Sequence, residues 1–155
     1  IVASHATCGV CLMHMHRDPQ TMQVAPMSGS VLEPVRQFLS ERSMALQAAG
    51  VAKERIVLDP GIGFGKSVAQ NFELLARQSE LLALGHAVLA GWSRKSSLGA
   101  VSGIEAASAR MVPSVAAALL AVERGARIVR VHDVAATVSA LAVWRSMRDQ
   151  QPPRD

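Results

Sequence analysis

Residues 55–67 read "RIVLDPGIGFGKS": an apolar run that closes on an acid, then a proline and glycines at every second position. The ending Gly65-Lys66-Ser67 resembles a triphosphate-binding loop, but that loop needs a glycine five positions before the Gly-Lys pair. Pro60 stands there, with no N–H to offer a phosphate. The dinucleotide fingerprint G-x-G-x-x-G fails too, because Gly65 arrives one residue early. Asp59 is a poor neighbour for a phosphate and a good one for a cationic or N–H-bearing ring edge. The stretch therefore reads as a strand that ends in a functional acid and runs into a tight loop.

Three more apolar runs of strand length occur: "GVCLMHM" (9–15), "HAVLAGWS" (86–93) and "ARIVRVHDV" (126–134). Each of the four is followed by a helical pattern. Val35, Phe38, Leu39, Leu46 and Ala49 follow the first, with Gly50 as the stop. Phe72, Leu75 and Leu82 follow the second, ending at Gly85. Val112, Val115, Leu119 and Val122 follow the third, ending at Gly125. Val138, Leu141 and Ala142 follow the fourth. Alternation of nearly continuous apolar strands with helices predicts a parallel sheet covered by helices. A doubly wound sheet and a (β/α)8 barrel both fit. Polar residues at the strand ends, Asp59 after the second, Ser93 to Ser96 after the third, Arg130 and His132 at the fourth, favour the barrel, whose active sites lie there. The fold class expected is α/β: the C-terminal half of a TIM barrel, about four parallel strands alternating with helices over residues 1–147, with a polar tail at 148–155. Half a barrel exposes two apolar edges, so the other half is expected to precede Ile1. The first residues are expected to finish a helix of an earlier unit.

Half of the 155 residues are hydrophobic, which excludes disorder. No apolar run reaches the roughly 20 residues of a membrane span. The N-terminus carries no secretory signal and no initiator Met, so the chain is expected to begin inside a longer polypeptide. Cys8 and Cys11 form one C-x-x-C without a second, which points to reduced, partly buried thiols and a cytoplasmic location. A net charge of +4, no Tyr and no Lys/Arg block argue against nucleic acid and are compatible with a small anionic ligand.

Arg130 and His132, two apart, share a face. Either an anion at the mouth or an ion pair with an acid such as Asp59 explains an arginine there. Arg94 and Lys95 are either a solvated basic loop or a pair of which one turns inward. Asp59 either caps its own loop or accepts two hydrogen bonds from an amidine-like edge. Phe64 is a loop plug or a platform for a ligand ring, and the loop around it is expected to move as a lid. His14 and His16 carry the H-x-H of metal-dependent hydrolases, provided both face the interior.

"CLMHM", "LDPGIGFGK", "GWSRKSSLG" and "RIVRVHDV", in this order and spacing, closely resemble the C-terminal half of bacterial dihydropteroate synthases over residues 3–147. The resemblance implies a (β/α)8 barrel that joins p-aminobenzoate to 6-hydroxymethyl-7,8-dihydropterin diphosphate, releasing pyrophosphate, in folate biosynthesis. It implies that Asp59 binds the amino-pyrimidinone edge of the pterin and that Lys95 donates to the ring. Arg130 would stack over the pterin and hold the diphosphate with His132, making Lys95, Arg130 and His132 the catalytic set. Ser96 and Phe64 would shape the aminobenzoate pocket, Met13 would line the pterin floor, and Gly63 belongs to the substrate-contacting set. Magnesium would be held by the N-terminal half, with no metal ligand here. Sulfonamides would compete for the aminobenzoate site, the full-length protein would be a homodimer, and this piece alone would be inactive. A pterin-binding methyltransferase on the same barrel is the alternative. His16, Trp92 and "ARMVPS" (109–114, 110–114 usually Arg-Leu-x-Gly-Ser) depart from the family pattern.

Overall fold

The computed structural model describes residues 1–150; most of the polar tail, residues 151–155, lies outside the described residues. Four strands, β1 (Val10–Met13), β2 (Ile56–Asp59), β3 (Ala87–Ala90) and β4 (Ile128–Val129), form one parallel sheet in the order β1-β2-β3-β4. They alternate with helices α1 (Leu32–Ala48), α2 (Val68–Ala76), α3 (Ser96–Ser102), α4 (Met111–Glu123) and α5 (Val134–Arg148). Each strand lies beside the next in sequence. A doubly wound sheet reverses its strand order part-way; this one does not.

The sheet's two faces separate the alternatives further. Val10, Leu12, Ile56, Leu58, Val88, Ala90 and Val129 point into one core with Val35 and Leu39 of α1, Leu74 of α2, Leu98 of α3 and Ala117 and Ala121 of α4. The alternate residues point to the opposite face. There Cys11 is exposed, Ile128 is 41% exposed and the Arg130 side chain 56% exposed. Helices on one face and strands in sequential order are the C-terminal half-barrel expected from the sequence.

Gly50 and Gly125 follow α1 and α4 where the pattern predicts, but α2 stops early at Ala76 and Gly85 closes a separate 3-10 helix, Gln78–Leu84. Gly50, Gly85 and Gly125 all adopt positive φ, a conformation that costs a side-chain-bearing residue about 1 kcal/mol or more. Two further details differ from expectation. The first residues do not finish an α-helix; Val2–Ser4 is a single 3-10 turn tied down by Arg55, which donates to the carbonyls of Cys8 (2.8 Å), Val2 (3.1 Å) and His5. After β3 the chain first forms the seven-residue α3, and only then the helix read from the sequence.

Candidate active site

Register places Met13 opposite Asp59, so both side chains lie on the open face at the C-terminal end of the sheet. Asp59 is 1% exposed. Its Oδ1 accepts the Gly61 N–H at 2.8 Å, closing a turn, and its Oδ2 accepts from Arg130 Nη2 at 3.1 Å. The acid caps its own loop, one of its two expected roles, and it supplies the ion pair that is one of the two explanations of Arg130. The ion pair with Asp59 is what engages Arg130 here. Its half-exposed side chain lies against Gly91, where a Cβ would sit 2.8 Å from the guanidinium.

The loop that follows needs its glycines. Gly61, Gly63 and Gly65 have φ of +71°, +80° and +72°. A Cβ at Gly61 would sit 1.8 Å from the His14 carbonyl oxygen, and one at Gly65 2.6 Å from His16 Cβ. The loop expected to move as a lid is fastened from below. Lys66, 5% exposed, donates to the carbonyls of Gly61 (2.9 Å) and Phe64 (3.2 Å), with His14 Nδ1 at 3.0 Å. Asn71 accepts the Gly63 N–H at 2.7 Å and donates to Lys66 O, Ser67 O and Ser97 Oγ. Phe64 is half-buried, with Lys95 Nζ 4.3 Å from its ring centroid. A cation therefore faces its ring.

The adjacent cations part company, as their alternation allows. Lys95 turns inward over Phe64, and burial, then the neighbouring Arg130, lower its proton affinity against the opposing pull of Asp59. Arg94 turns away to Asp133 at 2.9 Å. Its φ of +61° is held from both sides: Ser114 Oγ accepts its N–H at 2.9 Å, and Arg110 Nη1 donates to its carbonyl at 3.0 Å. The "ARMVPS" segment thus clamps the cationic loop. At β4, Ser93 Oγ accepts the His132 N–H (3.1 Å) and lies 2.9 Å from His132 Nδ1. In the tautomer in which Nδ1 accepts the hydroxyl proton, His132 keeps Nε2–H as a donor. Ser96 is exposed at the start of α3. At the C-terminal end of the sheet, then, Asp59 pairs with Arg130, Lys95 lies over Phe64, and Ser93 holds His132 just past β4.

The profile of the pterin binding enzymes matches residues 1–132. The chain belongs to this family. The dihydropteroate synthase of Neisseria meningitidis serogroup B is 47% identical over 150 residues, which cover 95% of this chain and 53% of that protein. The crystal structure of dihydropteroate synthase from Stenotrophomonas maltophilia, with imidazole bound in its active site, superposes with a TM-score of 0.93 at 48% identity. That match covers 97% of this chain and 56% of the other. The enzyme from Xanthomonas albilineans, solved with 7,8-dihydropteroate, gives 0.85 at 49% identity over 93% of this chain and 52% of its own. This chain spans about half the length of the relatives it matches.

The metal expectation fails on geometry. His14 does not face the open side; it is 6% exposed and packs edge-on against Phe38 of α1, their ring centroids 5.1 Å apart. Burial first, then Lys66 and His16, lower its pKa to about 4. His16 Nε2 takes an N–H from Arg17. Among the described residues no three His, Cys, Asp or Glu side chains gather as a metal site, so the hydrolase reading of His14 and His16 falls. Cys8 and Cys11 are free and exposed, although the Cys11 thiol on the open face is desolvated enough that burial first, then Asp59, raise its pKa against the pull of Arg130.

Lys66 and Asn71 were not legible as site residues. The available signal was the capping box in "SVAQ" (67–70), where Ser67 and Gln70 cap α2 reciprocally. It fixes where the loop ends and leaves Lys66 beneath the turn.

Proposed function

We propose that this chain is the C-terminal half of a dihydropteroate synthase barrel. The observation that carries the reading is the convergence of Asp59, Arg130, Lys95 and Phe64 at one strand-end mouth, in a chain whose relatives include an enzyme solved with 7,8-dihydropteroate. Asp59 accepts the N–H pair of the pterin edge once Arg130 leaves Oδ2. Arg130 then stacks on the ring and, with the Nε2–H of His132, holds the diphosphate. Lys95 donates to the pterin, Met13 and Gly63 line its pocket, and Phe64 and Ser96 border the aminobenzoate.

The amine nitrogen of p-aminobenzoate attacks the pterin methylene. A C–N bond forms, the C–O bond to the diphosphate breaks, and the amine proton passes to solvent. Negative charge grows on the departing pyrophosphate and positive charge on the methylene. Fixed donors at the diphosphate and a rigid ring stack stabilise that state with no nucleophilic side chain. Magnesium belongs to this reading as a partner of the diphosphate, with ligands outside this chain. A homodimer, sulfonamide competition and a cytoplasmic location complete it. No helix among the described residues is long and apolar enough to cross a membrane.

The test is turnover by a full-length barrel carrying these residues as its C-terminal half. Pyrophosphate release dependent on both p-aminobenzoate and the pterin diphosphate is expected. Release from the pterin diphosphate without the amine, or pterin-dependent methyl transfer in its place, would refute the assignment.

A further inference from the structure

Lys66 has no role in the reaction as described, yet it is the most deeply buried cation near the mouth. It is 5% exposed and lies beneath the glycine turn. Three acceptors surround its nitrogen: Gly61 O at 2.9 Å, Phe64 O at 3.2 Å and His14 Nδ1 at 3.0 Å. An ammonium has three N–H donors, so the protonated amine is saturated there. Burying a cation without a bonded carboxylate is costly, and an apolar side chain of the same length would avoid the cost. What the cost obtains is visible in the carbonyls it holds. Gly61 is the residue whose N–H Asp59 accepts, and Phe64 carries the ring beneath Lys95.

The geometry points to Lys66 as a positioning residue: its buried ammonium ties the Gly61 and Phe64 carbonyls into the turn that aims Asp59 at one substrate and the Phe64 ring at the other. This rests on the dihydropteroate synthase reading. The surrounding charges agree with it. Burial lowers the Lys66 pKa to about 8, with Asp59 raising it and Lys95 lowering it, so the amine is charged at neutral pH. His14, with a pKa of about 4, stays neutral and keeps a lone pair for it.

Lys66→Met keeps the length and removes all donors, whereas Lys66→Gln keeps two donors without the charge. Both are made in the full-length enzyme carrying these residues. For Lys66→Met the KM for p-aminobenzoate and the Kd for the free hydroxymethyl pterin should each rise about tenfold, the effect of losing the charged donor that ties the two carbonyls together and leaving each with one backbone N–H, from Phe64 (3.1 Å) and His16 (3.4 Å). Lys66→Gln should fall between it and the parent. The inhibition constant for pyrophosphate, set by Arg130 and His132, should stay within about twofold. Unchanged KM and Kd would overturn the assignment, and so would equal losses for pterin and pyrophosphate, the mark of a generally loosened mouth. If Lys66→Met does not fold, Lys66→Gln is judged by the same criteria. A parent enzyme that binds neither pterin nor pyrophosphate would sink the functional reading itself; a parent that binds both, matched by its variants, sinks only the role of Lys66.

Discussion

Asp59 gives one oxygen to its own turn and the other to Arg130, so under the proposed function a pterin edge would have to displace a guanidinium. The same displacement would free Arg130 for the diphosphate and so link the two recognition events. In the full-length enzyme, Lys95→Ala and Arg130→Ala should each lower kcat/KM by about 2–4 kcal/mol of transition-state stabilisation, the size of a lost oxyanion donor. Near-parental turnover in both would remove them from the catalytic set. Asp59→Asn should weaken pterin binding and spare pyrophosphate, measured by calorimetry with each ligand alone. His14 makes a prediction of a different kind. Its folded pKa of about 4 lies below the ordinary 6.5, so the unfolded chain binds the extra proton between those values. Stability is then full above about pH 6.5 and falls as pH drops toward 4, by up to roughly 3 kcal/mol. Urea midpoints of the full-length enzyme at pH 7 and 4.5 measure the drop, and His14→Phe should flatten it. An equal drop in that variant would assign the acid sensitivity elsewhere.

Among elements, the loop between β2 and α2 shows what a sequence conveys. Its glycines and its terminal acid were legible because each is a local demand written in one residue type. The burial of Lys66 and the four hydrogen bonds of Asn71 were not, because they depend on what packs beneath the loop, including His14 from forty residues or more away in sequence. The separate fates of Arg94 and Lys95 were legible as alternation, but the clamp on Arg94 by Arg110 and Ser114 was not. Strand lengths differ as well: β4 was expected over 126–134, whereas its ladder covers Ile128–Val129, with the Arg127 and Arg130 N–H groups donating to β3 carbonyls on either side. Gly61→Ala and Gly50→Ala compare tight and open settings at similar positive φ. Nothing lies within 4 Å of a Cβ at Gly50, whereas the His14 carbonyl oxygen lies 1.8 Å from one at Gly61. Gly50→Ala should cost about 1 kcal/mol. Gly61→Ala should cost more than about 2 kcal/mol, because loop and strand end must shift as well. Chemical denaturation of the two variants side by side decides it, and equal costs would contradict a fastened loop.

At the scale of the whole molecule, the order β1-β2-β3-β4 leaves β1 and β4 as edges, each with a row of backbone donors and acceptors unpaired on one side. The face that bears the site is open as well, with Ile128 41% exposed beside the half-exposed Arg130. A closed barrel would pair both edges and enclose that face, and the relatives are about twice as long as this chain. Two consequences follow for the 155 residues taken alone. Their edges should recruit other strands, so sedimentation velocity should show dimers or larger species whose size grows with concentration. Their mouth should bind pterin poorly, because Arg130 and Asp59 can neutralise each other with nothing to draw them apart. Mixing this chain with the N-terminal half of a close relative should replace the aggregates by a single 1:1 species and restore pterin binding together with it. A sharp, concentration-independent monomer that binds pterin without the second half would contradict both consequences, and with them the view that this layer needs the other half of the barrel to form the working site.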